Sequence, residues 1–405
     1  MYLYKKKGEK EMKKLFSLVL VLGLVLALAA CGGGDKIKIG VVLPDASEER
    51  WANQDGAFFK EELDALGEGY EYEILFSEGD ESKEVQNVEA LIAKGAEVII
   101  LTAEGSGAGA VQAAHDAGVI LIAHDRMAKS ADDNADYYTT FNSWNVGKAM
   151  GAHLAEEAAN EGCTAAAPCD LAIFAGRVAD WPNATYFFGG AMEELQPVLD
   201  IFTIINVEDT FSDLDLYTEA TFNDAAKNAL QAAMLPVDTD WNGETAGTKA
   251  AAVVAQLGAA DKSSQPVFVL APNDDTSTAI RQEFAKMANP YESYYTTGQD
   301  AANITLASLM GDPDKGKGTQ TMTVFKDVSK LCADSVAIAA NIVDGVDGLV
   351  GLTSGPSIDG AKTAYSPIDT LTFDDPQLTY DLIFATGYKD KDDSTFSNID
   401  FTPYE

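Results

Sequence analysis

The stretch VIILTAEGSGAGAVQAAHDAGVILIAHDRM, residues 98–127, decides the fold class of this chain. It contains two apolar runs, at 97–103 and 119–124, that are nearly continuous, as strands buried on both faces require. The glycine-rich GSGAG at 105–109 lacks the lysine of a phosphate loop and the spacing of a dinucleotide fingerprint. We therefore interpret it as a strand-to-helix turn, and the whole stretch indicates an α/β unit with parallel strands.

The same alternation of apolar runs and amphipathic segments continues along most of the chain. Segments such as 48–66 and 83–95 have helical periodicity, whereas 235–265 interrupts the rhythm and is expected to be an insertion. The chain has 405 residues and 46% apolar content, which is ample for two packed domains. Because ten strands exceed one core, we predict two doubly wound parallel-sheet lobes. The strand candidates are 37–43, 72–77, 97–103, 119–124, 137–141, 171–176, 202–207, 266–272, 294–298 and 321–325.

The N-terminal residues have the layout of an export signal rather than of a fold element. Six lysines precede an apolar run of 16 residues at 15–30, which is short for a membrane-spanning helix of about 20 residues. The Leu-Ala-Ala-Cys sequence that ends at Cys31 resembles a bacterial lipobox. This resemblance implies a lipoprotein signal peptide at 1–30, lipidation of Cys31 and a tether at 31–35. An ordinary signal peptide followed by a chance cysteine is the alternative.

The charge of the chain argues against one class of partner. Its formal net charge is −36, and loss of the six lysines and two glutamates before Cys31 makes it −40. Such a surface repels phosphate backbones, so we expect no nucleic-acid partner. The three histidines lack the spacing of metal ligands, and we expect neither a metal nor a cofactor.

The three remaining cysteines are expected to be structural. Cys163 and Cys169 bracket the sequence TAAAP and could pair in an oxidising exterior. Spacing alone leaves that disulfide open. Cys332 lies at core spacing in a helical segment and is expected to be buried.

Polar side chains follow nearly every predicted strand. Ligands of open α/β sheets bind at the loops beyond the carboxyl ends of the strands. Guanidinium and ammonium groups donate hydrogen bonds, carboxylates accept them and amides do both, a mixture that suits a small molecule with many hydroxyls. The aromatic ring of Trp51, with Trp181 or Phe222, could support the apolar face of such a molecule. The polar candidates are Arg50, Asp125, Arg126, Asn183, Asn273, Asp300 and Lys326.

Each candidate also has a structural alternative when it is considered alone. Arg50 could form a surface salt bridge, and Asp125 with Arg126 could form an ion pair. Asn273 could cap a helix. Their shared position after predicted strands favours ligand binding over these alternatives.

A set of motifs spread over about residues 36–370 resembles the periplasmic-type monosaccharide-binding proteins. The subgroup is the one related to the xylose-binding and multiple-sugar-binding proteins of ABC importers. The motifs stand in the family's order and include, besides residues 98–127, LPDASEERW, FFKEEL, YYTTFNSWNVGKAMG, NATYFFGGAMEEL, GQDA and TQTMTVFKDVSKL.

The resemblance implies a type I periplasmic binding protein fold, in which a hinge joins the two lobes. The N-terminal lobe would comprise residues 36–141, completed by about 326–366. The C-terminal lobe would comprise residues 142–325, completed by about 367–405.

The resemblance also implies which positions bind the ligand. Asn142 stands where relatives usually carry an aspartate near the hinge, and Phe222 where they often carry a stacking tryptophan. These departures leave the exact sugar open. The implied ligand-binding residues are Arg50, Trp51, Asp125, Arg126, Asn142, Asn183, Phe222, Asn273, Asp300 and Lys326.

The function implied is that of an extracytoplasmic, lipid-anchored and monomeric substrate-binding protein rather than an enzyme. It would capture an aldopentose or aldohexose, such as xylose, glucose or galactose, by hinge closure and deliver it to an ABC permease. A sensor that presents a sugar or an autoinducer to a membrane receptor is the alternative.

Two other classes are disfavoured by the sequence. A glycosidase needs two carboxylates, but among 64 acidic residues such a pair carries little weight. A sugar-responsive repressor would need a basic DNA-binding segment where this chain has an export signal.

Overall fold

The computed structural model describes residues 37–46, 50–311 and 320–405. The predicted signal peptide, Cys31 and the tether lie outside the described residues. Within these three ranges, no helix has the length and apolar character that crossing a bilayer requires.

A six-stranded parallel sheet forms the core of the N-terminal lobe. Its strands are β1 (Ile37–Leu43), β2 (Tyr70–Phe76), β3 (Ala96–Leu101), β4 (Ile120–His124), β5 (Tyr137–Phe141) and β11 (Lys362–Ser366). Their order across the sheet is β11-β5-β4-β3-β1-β2, and every pairing is parallel. Buried apolar side chains cover both faces of this sheet, which is why its strands are apolar runs rather than alternating patterns.

Four helices cover the faces of this sheet: α1 (Gly56–Ala65), α2 (Glu81–Ala93), α3 (Ala108–Asp116) and α10 (Val328–Val343). The turn into α3 is the GSGAG segment, as predicted. Gly107 precedes the helix with a φ of 67°, in the left-handed region that favours glycine. A Cβ at Gly107 would lie 2.7 Å from the Cβ of Ala128, so the turn also requires close backbone approach.

The C-terminal lobe contains a second parallel sheet, with the order β7-β6-β8-β9. An antiparallel pair of strands, β10 and β12, lies beside it, joined by a bridge between Gln299 and Val324. The strands are β6 (Cys169–Ile173), β7 (Phe202–Ile204), β8 (Pro266–Leu270), β9 (Ser293–Thr296), β10 (Met322–Lys326) and β12 (Ile368–Thr372). The helices are α4 (Ser143–Asn160), α5 (Asn183–Leu195), α6 (Asp224–Met234), α7 (Gly243–Leu257), α8 (Asp274–Phe284), α9 (Asn303–Leu309) and α11 (Pro376–Thr379).

The chain passes between the two sheets after β5, after β10 and after β11. Strand β5 ends at Phe141, and the next helix buries Trp144 in the core of the second lobe. Helix α10 returns to the first lobe, where Val328 and Cys332 join its core. The predicted lobe boundaries stay a prediction, and these crossings are the features that support them.

The segment 235–265 does not interrupt the fold. It contains α7, which buries Ala246, Ala250 and Val253 against the core of the second lobe. The interpretation of this segment as an insertion stays a prediction, and its alanine-rich part forms a helix with a narrow apolar face.

The cysteines are all structural where they are described. Cys163 and Cys169 form a disulfide, which settles the pairing that spacing had left open. Cys332 is a buried free thiol in α10, as predicted.

Helices α4 and α5 approach each other so closely that their contact requires glycine. A Cβ at Gly147 would lie 1.9 Å from the carbonyl oxygen of Phe187, and one at Gly190 would lie 2.0 Å from that of Trp144. Both neighbours are backbone atoms, which a side-chain rotation cannot move away.

We predict that Gly147→Ala lowers the free energy of unfolding by about 1–3 kcal/mol, because the added methyl group overpacks this contact. Gly247→Ala in α7 is the control, since its nearest heavy atom would lie at 3.6 Å and alanine has the higher helix propensity. Urea denaturation of both variants measures the difference. Equal effects of the two substitutions would contradict the close packing of α4 on α5.

Candidate functional site

A cavity of about 180 Å³ lies between the lobes, at the carboxyl ends of the strands. Seven of the ten predicted ligand-binding residues line it: Arg50, Asp125, Arg126, Asn183, Asn273, Asp300 and Lys326. It is also lined by seven residues that the sequence did not single out: Thr140, Phe141, Ser143, Asp180, Phe187, Trp241 and Gln299.

An ion pair between Arg50 and Asp125 forms the N-terminal lobe's side of the cavity. Arg50 Nη2 lies 3.0 Å from Asp125 Oδ1, and its Nε lies 3.3 Å from Oδ2 of the fully buried Asp55. Burial alone would lower the pKa of Arg50, but the charges of Asp125 and Asp55 outweigh it and raise this pKa. Burial alone would raise the pKa of Asp125, but Arg50 and then Lys326 hold it well below its usual range. Both partners are therefore charged.

Trp51 lies behind this ion pair and outside the cavity lining. Its ring is buried, with the Arg50 and Arg126 guanidinium carbons 4.3 Å and 5.0 Å from its centroid. Cation–π contacts of this kind orient guanidinium groups. Trp51 therefore positions the two arginines, and its predicted contact with the ligand ring stays a prediction.

A second ion pair forms the opposite side of the cavity. Lys326 Nζ lies 2.7 Å from Asp300 Oδ1. The backbone of Asp300 has a φ of 93°, an uncommon conformation for a residue with a side chain. The lysine ends β10 and the aspartate follows β9, so two neighbouring strand ends place this pair.

Trp241 is one of three aromatic residues of the lining that the sequence did not single out, beside Phe141 and Phe187. Its indole Nε1 donates to Asp180 Oδ2 at 2.9 Å, and its carbonyl oxygen accepts from Asn273 Nδ2 at 3.0 Å. A Cβ at Gly176 would lie 2.4 Å from the Trp241 ring, so glycine is needed beneath it. Trp241 follows no predicted strand, so the pattern of polar residues after strands does not indicate it.

Asp180 brings a third carboxylate to the cavity. Burial is the main cause that raises its pKa, and the negative charge of Asp125 raises this pKa further. A hydroxyl donor placed between the lobes would stabilise the ionised forms of both aspartates.

Asn183 and Asn273 line the cavity and also form hydrogen bonds within the protein. Asn183 bonds to the N-terminal lobe, and Asn273 caps a helix. Asn183 Nδ2 donates to the carbonyl oxygen of Asp125 at 3.0 Å, and its Oδ1 accepts from Tyr138 at 3.2 Å. The side chain of Asn273 caps α8 by accepting from the Thr276 amide at 2.9 Å. The capping alternative for Asn273 is therefore correct, and the same residue also faces the cavity.

Asn142 and Phe222 lie outside the cavity lining. Asn142 caps α4, and its amide donates to Glu219 at 3.2 Å. Phe222 stacks on Trp181 with ring centroids 5.8 Å apart, and its centroid lies 4.9 Å from that of Tyr186. The structure places this ring in an aromatic group outside the cavity lining, with partners from α4, α5 and the loop before α5. Its predicted contact with the ligand stays a prediction.

The described residues include one buried group with the composition of a metal site: Asp55, His124 and Cys332, whose ligand atoms lie within 4.8 Å of one another. His124 Nε2 lies 3.0 Å from Asp55 Oδ1, and its Nδ1 lies 2.8 Å from Ser335 Oγ. Asp55 also accepts from Arg50. We interpret this group as a hydrogen-bonded support for Arg50, since its oxygen and nitrogen atoms already have partners.

The sequence of this chain is similar to those of known sugar-binding proteins. Residues 39–347 match the family described as periplasmic binding protein domain. The chain is 28% identical over 352 residues to the multiple sugar-binding periplasmic protein SbpA of Azospirillum brasilense, covering 85% of each. It is 25% identical to the D-xylose-binding periplasmic protein of Escherichia coli, covering 87% of this chain and 92% of that protein.

This chain is also similar in structure to a solved sugar-binding protein. The carbohydrate transporter solute binding protein of Chloroflexus aurantiacus, in complex with D-glucose, is 33% identical to this chain. The TM-score is 0.72, and the match covers 89% of this chain and 98% of that one. The predicted type I periplasmic binding protein fold is thereby confirmed. By their names, the first two relatives bind sugars and the third is a carbohydrate transporter solute binding protein, and none is named as an enzyme.

A buried carboxyl group, Asp274, lies behind the cavity next to Asp300. It is 2% exposed and accepts hydrogen bonds from the Ala302 amide at 2.8 Å, Gln320 at 2.6 Å and Thr323 at 2.9 Å. Burial outweighs these bonds and raises the pKa of Asp274 from 3.8 to about 7. The folded chain therefore holds a proton that the unfolded chain has lost between about pH 4 and pH 7.

We predict that the wild-type free energy of unfolding falls relative to that of Asp274→Asn as the pH rises from 4 to 7. The slope of the difference is at most about 1.4 kcal/mol per pH unit, because one proton is released on unfolding. Below about pH 3 and above about pH 8 the difference is constant, because both states are then in the same protonation state. Urea denaturation at a series of pH values measures it, and parallel curves for the two proteins would rule out the raised pKa.

Proposed function

We propose that this chain, which belongs to the periplasmic binding protein domain family, captures a neutral monosaccharide between its lobes by hinge closure. The observation that carries the proposal is the balance of charge in the cavity. Three basic side chains, Arg50, Arg126 and Lys326, face three acidic ones, Asp125, Asp180 and Asp300. This balance favours a neutral polyhydroxyl ligand over a sugar phosphate or a sugar acid.

The other residues of the cavity lining are also suited to bind a sugar ring. Phe141, Phe187 and Trp241 provide apolar faces, against which the C–H groups of a sugar can pack. Charged groups and amides around the rim provide partners for its hydroxyls. Specificity for one sugar then depends on which of its hydroxyls form hydrogen bonds with these fixed side chains.

The size of the cavity favours one sugar unit. Its volume of about 180 Å³ is below the range of about 300–1,000 Å³ that is typical for drug-sized ligands. The relatives bind xylose, glucose or several sugars, according to their names. We therefore propose an aldohexose or aldopentose, with D-glucose, D-xylose and D-galactose as the first candidates.

Delivery of the sugar to an ABC permease is the use that we propose for this binding. The Chloroflexus relative is named a transporter solute binding protein, which supports a transport role. A lipid on Cys31 would hold the protein at the outer face of the cytoplasmic membrane, where it meets its permease as a monomer. Labelling of the expressed full chain with radioactive palmitate tests this anchor. The Cys31→Ser variant, treated in the same way, is the control and should take up no label.

We expect D-glucose, D-xylose or D-galactose to raise the melting temperature of a chain that starts after Cys31. A ligand at 100 times its dissociation constant adds about 2.7 kcal/mol of stability. Glucose 6-phosphate is the matched comparison, and it should give no shift because its charge has no counterpart in the balanced cavity. A shift with the phosphate alone would overturn the proposed ligand class.

We further expect Asp300→Ala and Arg126→Ala each to weaken sugar binding by about 10-fold or more. A hydrogen bond to a charged group contributes about 1.5–3 kcal/mol, and 1.4 kcal/mol corresponds to a factor of ten. Asp347→Asn is the control, because Asp347 pairs with Lys362 on an exposed surface. Isothermal titration calorimetry measures the affinities, and wild-type affinity in both cavity variants would exclude these residues from the site.

A further inference from the structure

A contact between the lobes lies outside the cavity lining. Trp181 belongs to the loop between β6 and α5 of the C-terminal lobe. Asp359 lies in the turn before β11, next to Ile358, which is part of the N-terminal lobe's core. The indole Nε1 of Trp181 donates to Asp359 Oδ2 at 2.5 Å. This hydrogen bond therefore joins the two lobes directly.

The carboxylate of Asp359 is held in its charged form. Lys129 Nζ, from the same lobe, lies 2.6 Å from the same oxygen. Burial alone would raise the pKa of Asp359, but the hydrogen bonds from Lys129 and Trp181 outweigh burial and lower it. A hydrogen bond to an ionised acceptor is stronger than one between neutral groups.

The backbone of Asp359 fixes the position of this acceptor. Its φ is 47°, in the left-handed region that residues with side chains adopt only where their surroundings determine the conformation. The amide of Ala361 donates to the carbonyl oxygen of Ile358 at 2.9 Å and closes the turn. Aspartate adopts this conformation readily in turns, so the turn holds the acceptor without a large cost.

The donor is also held in place. The Trp181 ring stacks on Phe222 and meets Tyr186 edge-on, with centroids 5.4 Å apart. Lys227 Nζ lies 3.7 Å from the centroid of the same ring, a cation–π distance. Trp181 and Tyr186 both pack against the apolar core of the N-terminal lobe. The well-packed ring of Trp181 in one lobe therefore donates to the carboxylate of Asp359 in the other lobe.

We propose that Trp181 and Asp359 form a latch that keeps the lobes closed and slows ligand release. Separation of the lobes breaks the hydrogen bond and removes Trp181 from the apolar core of the opposite lobe. The latch does not touch the cavity, so it contributes to the dissociation rate without selecting the sugar. This proposal rests on the proposed function, since it concerns release of the captured ligand.

Trp181→Phe and Asp359→Asn test the latch, because Asp359→Asn keeps the shape of the acceptor without its charge and Trp181→Phe keeps an aromatic ring without the indole N–H. With D-glucose, and with D-xylose or D-galactose if glucose does not bind, stopped-flow fluorescence should show a dissociation rate 5–10 times that of the wild type. The association rate should change less than twofold, and the ranking of the three sugars should stay the same. The double variant should release sugar no faster than the faster single variant, because both substitutions remove the same contact.

Asp347→Asn is again the control, since it removes an ion pair within one lobe. Wild-type dissociation rates in both latch variants would overturn the proposal, as would a double variant whose effect is the product of the two single effects. A changed sugar ranking would also overturn it, because it would place Trp181 in the binding site.

Small-angle X-ray scattering separates failure of the latch from failure of the proposed function. Without added sugar, the latch variants should have a larger radius of gyration than the wild type and the control, because their lobes open more often. If no sugar binds to the wild type, a larger radius in the variants still supports the latch while the proposed function fails. Equal radii in that case would overturn both proposals.

Discussion

The ion pair between the partly exposed Arg50 and the nearly buried Asp125 is the interaction on which the site depends. Two charges removed from water are tolerated only where geometry and additional hydrogen bonds compensate for the loss of hydration. Asp55 supplies one such bond to Arg50, and His124 supports Asp55 in turn. Removal of one partner costs less here than the roughly 3–5 kcal/mol of a fully buried pair, because the Arg50 side chain is 30% exposed and water screens its charge. The N-terminal lobe therefore holds both side chains in place through its own contacts.

The C-terminal lobe contributes a second ion pair, Lys326 with Asp300, whose side chain is half exposed. Each lobe thus presents its polar groups already oriented by a partner. A ligand that enters between them need not order flexible side chains, which lowers the entropic cost of binding. Because the charges of the two sides balance, closure over a neutral ligand leaves no net charge in the cleft.

The aromatic residues divide into two groups with different roles. Phe141, Phe187 and Trp241 line the cavity, whereas Trp181, Tyr186 and Phe222 pack against one another beyond it. The first group offers apolar faces to a ligand, and the second lies where the lobes meet. The two proposals assign the choice of sugar to the first group and the stability of the closed form to the second.

The sequence by itself determined the α/β class, the burial of Cys332 and most of the polar residues of the cavity. Parallel strands have their carboxyl ends at one edge of the sheet, so residues that follow strands must lie near one another whatever the details of packing. Only the tertiary structure decided which aromatic rings face the cavity. Trp51 lies beneath two arginines, and Trp241 comes from a segment that resembles an insertion. Likewise, the bond between Trp181 and Asp359 joins residues 178 positions apart. Ring orientation and contacts between lobes depend on long-range packing, for which local sequence patterns contain no signal.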